Sequence, residues 1–113
     1  MRYMLMICDD EADGRGPLEL VHSPEHIAWI DYLDSRKITL LDGVRLRPSN
    51  DATTVRSREG QTLVSDGPFI ESKEQIGGFA LVECANLDDA IEVAARHPFA
   101  AHGVVEVRPV WDE

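Results

Sequence analysis

Basic residues are scarce in this chain: 11 Lys and Arg stand against 21 Asp and Glu, a formal charge of −10. Nucleic-acid binding needs a basic footprint to meet phosphates, so the composition argues against it, and equally against attraction to an anionic membrane surface. Long hydrophobic runs are absent too. The apolar segment Tyr3 to Cys8 meets Asp9-Asp10 too early to be a signal peptide, and no stretch could span a bilayer. Cysteine is limited to Cys8 and Cys84, far apart and without C-x-x-C spacing. Two small buried hydrophobes in a reducing, cytoplasmic compartment are expected, not a disulfide or a redox pair. The chain also lacks a P-loop, a dinucleotide glycine pattern, zinc-ligand spacing and a nucleophile elbow, so no cofactor or metal is expected.

What remains suffices for one folded domain. A chain of 113 residues, 43% of them apolar, buries roughly two-thirds of its unfolded surface. Tyr3 to Cys8 reads as a buried strand, and Asp9 to Val21 as an acidic loop lacking the ligand alternation of an EF-hand. Ser23-Pro24-Glu25 starts a helix: Ser caps free N–H groups, Pro suits the first helical position, and Glu opposes the positive dipole end. The helix should run from Pro24 to about Lys37, with Ile27, Trp29, Ile30 and Leu33 on one inward arc and His26 in its middle. Thr39 to Pro48 reads as a strand bulged near Asp42-Gly43, and residues 53–65 as a hairpin around Glu59-Gly60. Phe79 to Cys84 is a second buried strand. Asn86 caps a helix over Leu87 to about Arg96, whose inner arc should hold Leu87, Ala90, Ile91, Ala94 and Ala95. Arg96 and His97 suit its negative end, Pro98 stops it, and Val104 to Val110 is the last strand.

This order predicts a ferredoxin-like α+β sandwich: two βαβ halves forming an antiparallel sheet with both helices on one face. Strands this apolar leave the other sheet face needing cover. A second copy of the chain supplies it most simply, which predicts a homodimer.

Two places carry candidate chemistry. Residues 65–79 join two strands through Asp66-Gly67-Pro68-Phe69, where a stiff turn presents a carboxylate at its first position. Asp66 there either caps its own turn or serves a site, and Glu71, Lys73 and Glu74 are either solvated or part of the same surface. On the structural reading Phe69 and Phe79 pack in the core, and Gly77-Gly78 lets the strand approach a neighbour closely. His26, in the first turn of its helix, is either a neutral core histidine or a proton acceptor at a cleft mouth. His22, His97 and His102 fall at element ends or in loops and share no metal-ligand spacing.

The stretch Asp66-Gly67-Pro68-Phe69, followed by Glu71, Lys73-Glu74 and Gly77-Gly78-Phe79, resembles the signature of the DGPF proteins within the YCII-related group of the dimeric α+β barrel superfamily. The opening Met1-Arg2-Tyr3-Met4-Leu5, Asp42-Gly43, Ala52-Thr53-Thr54-Val55-Arg56 and the closing Val105-Glu106-Val107-Arg108-Pro109 extend the resemblance over nearly the whole chain. In that group a histidine on the first helix is paired with an aspartate, and His26 matches the histidine in place. The aspartate usually precedes a proline after the second helix, where this chain has His97 before Pro98; Asp66 is then the acid expected to substitute. The resemblance implies a cofactor-free enzyme moving a proton beside a carbonyl or eliminating a leaving group from a lactone-like substrate. His26 and Asp66 would be catalytic, with Gly67, Phe69, Lys73 and Glu74 as binding residues. It equally allows a small-ligand or regulatory module that partners an extracytoplasmic-function sigma factor.

Overall fold

The computed structural model of the chain describes residues 1–11 and 23–112. Six strands and two helices follow in the order β1 (Arg2–Asp10), α1 (Pro24–Ser35), β2 (Thr39–Arg45), β3 (Thr53–Arg58), β4 (Gln61–Asp66), β5 (Glu74–Glu83), α2 (Leu87–Ala95) and β6 (Val104–Pro109). Short 3₁₀ turns occupy Ser49–Asp51 and Pro98–Ala101. Four strands form one antiparallel sheet in the order β2-β5-β1-β6, while β3 and β4 pair only with each other. The fold is α+β and ferredoxin-like, with an inserted hairpin.

The two-residue period of a strand decides which side chains meet the helices. Tyr3, Leu5 and Ile7 of β1, with Ala80 and Val82 of β5, are buried against Trp29 and Leu33 of α1 and Ala90, Val93 and Ala94 of α2. Both helices therefore lie on one face. On the other face Met4, Met6, Phe79 and Leu81 stay half-buried. The caps act as expected. The Ser23 hydroxyl accepts from the His26 N–H at 3.2 Å, and the Asn86 side chain accepts from the Asp89 N–H at 2.9 Å.

Several boundaries and faces differ from the sequence expectation. Strand β1 continues through Asp9 and Asp10, and β5 begins at Glu74, because the two pair along their full length around a bulge that leaves Gly77 unpaired. The Asp9 to Val21 loop is thus strand at its start, and its residues 12–21 lie outside the described residues. The bulge of β2 falls at Leu41, one residue before Asp42-Gly43. Ile27, Leu87, Ile91 and Ala95 are exposed, since the sheet is narrow and meets only the Trp29/Leu33 and Ala90/Val93/Ala94 edges of the helices. Phe69 is no core residue either, being 72% exposed. Its turn is tied down by backbone instead: Gly67 takes φ of +89°, its N–H donates to Ala52, and Thr54 Oγ1 donates to its carbonyl.

The β3–β4 hairpin turns at Glu59 and Gly60 with φ of +52° and +78°, the left-handed pair that matches strand twist. It stands off the main sheet rather than forming its edge.

Candidate functional site

A cavity of about 250 Å³ opens where the start of α1, the end of β2, the middle of β5 and the turn after α2 converge. Its walls are mostly apolar: Ile7, Leu40, Val44, Phe79, Ala80 and Phe99, over a floor formed by Trp29. Three groups bring polar chemistry into it, namely His26, His97 and Arg45.

Local sequence explains each placement. His26 is the third residue of α1, one turn before Trp29, so both rings project from the same side and their centroids are 5.9 Å apart. Trp29 is locked by its indole N–H, which donates to the Val93 carbonyl at 2.9 Å. That carbonyl lies in the last turn of α2, where no further helical N–H arrives, so the indole satisfies a group the helix leaves open. His97 precedes Pro98 and caps the 3₁₀ turn: its Nδ1 accepts the Phe99 N–H at 3.2 Å. The ring packs edge-on against Trp29 at 4.8 Å and stands 6.4 Å from His26. Gly78 keeps β5 close to β2 along the cavity wall, because a Cβ there would sit 2.8 Å from the Val44 carbonyl oxygen. The close approach weighed for Gly77-Gly78 is thus realised at Gly78.

The tautomer of His97 follows from its cap. An acceptor Nδ1 carries no proton, so the neutral ring carries it on Nε2. His97 is only 6% exposed, yet among the described residues Nε2 makes no hydrogen bond. Nor is it sealed in protein, since the fully enclosed unpartnered side-chain polar atom among those residues is Tyr32 Oη. The Nε2–H therefore opens on the cavity that the ring lines.

Electrostatics hold both imidazoles neutral. Burial first, then the proximity of His26 and Arg45, push His97 down to about 4. His26 is lowered from its ordinary value by the same two influences, burial ahead of Arg45. The consequence for stability has a definite sign. Between pH 6.5 and about 4 the unfolded chain binds a proton at residue 97 that the folded chain refuses, so stability falls with acidification across that window. The loss attributable to this group approaches about 3 kcal/mol at the acid end. His97→Gln should flatten that limb, as read by chemical denaturation at pH 7, 5.5 and 4.5.

Of the residues singled out in the sequence, His26 lines the cavity and Asp66, Gly67, Lys73 and Glu74 do not. Asp66 ends β4 opposite Thr53 on the separate hairpin and is not among the residues that line the cavity with His26. Phe69 follows on the exposed turn. Lys73 lies 3.9 Å from Asp10 at the far end of the β1–β5 pairing, and Glu74 pairs with Asp10 in register. The neighbour that His26 does have is His97, read from sequence as a helix-end residue. One signal pointed there: an aspartate before proline and an imidazole before proline can both cap the following turn and present a polar edge beside α1. Arg45 carried no such signal.

Among the described residues no group of three or more His, Cys, Asp or Glu could hold a metal ion, and no described helix is long and apolar enough to cross a membrane.

Comparison with known proteins agrees with this architecture. The chain is similar to "Uncharacterized protein R00369" of Rhizobium meliloti (strain 1021), 47% identical over 68 residues that cover 58% of this chain and 55% of that protein. The chain thus spans about half the length of that relative. The family model for the YCII-related domain matches residues 1–113, the whole chain, and the protein belongs to the YCII-related family.

Proposed function

We propose that this protein is a cofactor-free acid–base enzyme acting on small carbonyl compounds, in which His26 accepts a proton from the carbon beside the carbonyl. The observation that carries the reading is the pair of imidazoles sharing one apolar cavity at 6.4 Å with non-equivalent environments. His97 is fixed as an Nε2–H donor, so it cannot take the proton without breaking its cap. It can donate to the oxygen on which negative charge develops, and a neutral donor does so without a counter-ion. His26, half-buried and free of such a cap on its ring, is the base. Its lowered proton affinity keeps it in the accepting form at neutral pH. Abstraction moves the C–H electron pair into the enolate; the proton returns to the same or a neighbouring carbon, or the electron pair expels a leaving group.

The experiment is exchange of α-protons into D₂O across a panel of small ketones, lactones and keto acids, followed by proton NMR. Exchange of at least one class is expected, with a rate that rises with pH through a midpoint below 6.5, because the base must be neutral. No exchange on any member, or exchange indifferent to pH between 4 and 7, contradicts the reading.

A homodimer belongs to the same proposal. Met4, Met6, Phe79 and Leu81 give the uncovered sheet face an apolar stripe, with exposed Val44 beside it. A hollow on that face, lined by Met4, Val44, Phe79 and Leu81, offers a seat for a partner's side chains. Leu81→Glu should convert the dimer to a monomer in light scattering; a wild-type chain that already runs as a monomer would remove the dimer from the account.

A further inference from the structure

Arg45 is the one cavity group that the proton-transfer reading leaves without work. It ends β2, is half-buried, and lies over Phe99 with Cζ 4.3 Å from the ring centroid. Among the described residues none of the ion pairs includes it, although the chain carries 21 acids. The acid acting on it, Asp9, does so without an ion-pair contact. A guanidinium seated in an apolar wall ordinarily has its carboxylate with it, because a partly desolvated charge without a partner is costly. Here Arg45 lines the same cavity as the His97 ring, and apart from His26 the other lining side chains are apolar. A cavity so composed is incomplete until an anion enters.

We propose that the cavity is built for a small monoanionic carboxylate, whose carboxylate is held by Arg45 while its apolar body lies against Leu40, Ala80 and Ile7. This rests on reading the cavity as the ligand site and narrows the substrate class to carboxylic acids bearing a carbonyl group. The carboxylate at Arg45 positions the carbonyl end towards His26 and His97, so one end of the cavity orients and the other reacts. The net charge of the chain adds selectivity. An acidic surface repels polyanions, and a single guanidinium in an apolar wall admits one negative charge and not several.

Benzoate and benzamide, alike in shape and differing in charge, are the probes, with binding read from Trp29 fluorescence and from backbone amide shifts. Benzoate should bind about 10- to 100-fold more tightly than benzamide, the range of a charge-assisted hydrogen-bonded contact. Arg45→Met should abolish the difference, and Arg45→Lys should keep part of it. The comparison of the two probes on the wild-type protein stands even if a variant fails to fold. Equal binding of the two, or benzoate shifts confined to residues away from β2 and the Phe99 turn, overturns the proposal. Benzoate preference without α-proton exchange on any compound would leave this inference standing and sink the enzymatic reading. Exchange on neutral ketones with no benzoate preference would do the reverse.

Discussion

Replacing His26 by glutamine should lower the rate of α-proton exchange by ~10²–10⁴-fold, the range expected when a positioned general base is removed. Glutamine preserves size and polarity, and position 26 is half-buried at the start of α1, so the fold should survive. The backbone N–H of residue 26 still meets the Ser23 hydroxyl whatever side chain it carries. The loss should appear in kcat more than in KM, because the base acts on the proton in flight and Arg45, not His26, is expected to hold the ground state. His97→Gln should act differently: glutamine can still donate to the developing oxyanion, so a smaller loss is expected, together with the flattened acid limb of stability. A His26→Gln protein that exchanges α-protons at the wild-type rate would remove His26 from the chemistry. Asp66→Asn provides the matching control. Within one chain Asp66 stands on the hairpin and not in the cavity, so its substitution should leave exchange unchanged. A loss as large as that of His26→Gln would mean that Asp66 reaches the site from a second copy.

Trp29→Ala should cost about 3–5 kcal/mol, the largest stability effect expected of any single truncation in this core. The indole is 3% exposed, bridges α1 to α2, and fills the floor beneath both imidazoles. Its removal leaves a cavity and strips the Val93 carbonyl of its donor, two penalties that add. For a domain whose total stability is roughly 5–15 kcal/mol, the melting temperature should fall by ~10 °C or more. Trp29→Phe separates the contributions, restoring most of the volume but not the hydrogen bond, and should recover more than half of the loss. Retention of the wild-type melting temperature by Trp29→Ala would show that α1 is held by other contacts. Because the other tryptophan, Trp111, is 88% exposed, emission from the buried indole can be followed as a separate blue-shifted component in both experiments.

Much of the architecture was legible because it rests on local physics. Ser23-Pro24-Glu25 and Asn86-Leu87-Asp88-Asp89 announce helix starts through the N–H groups they satisfy, and both helices begin there. Glu59-Gly60 announces the hairpin, and the alternation of Tyr3, Leu5 and Ile7 fixes the buried face of β1. Faces that depend on how wide the sheet is were not legible. Leu87 and Ile91 have the spacing of an inner arc, yet they overhang the sheet and face solvent. The site divided in the same way. His26 was visible as an inward residue of a first helical turn. His97 was hidden because its burial comes from Trp29, a contact across more than 60 residues of chain that no periodicity reports. Arg45 was hidden for a similar reason, since it read as one polar residue within the Thr39 to Pro48 strand until Phe99 came to lie beneath it. The Asp66 turn drew notice through its stiffness, a property that structural turns and functional ones share.

The account depends most on the two imidazoles being neutral at physiological pH with His97 protonated on Nε2. Long-range ¹H–¹⁵N correlation of the histidine side chains, followed from pH 7.5 down to 3.5, measures that directly. The Nε2–H pattern for His97 should persist until the ring titrates at about 4, with His26 titrating below its ordinary 6.5. A His97 ring that carries its proton on Nδ1, or that titrates at or above 6.5, would contradict it.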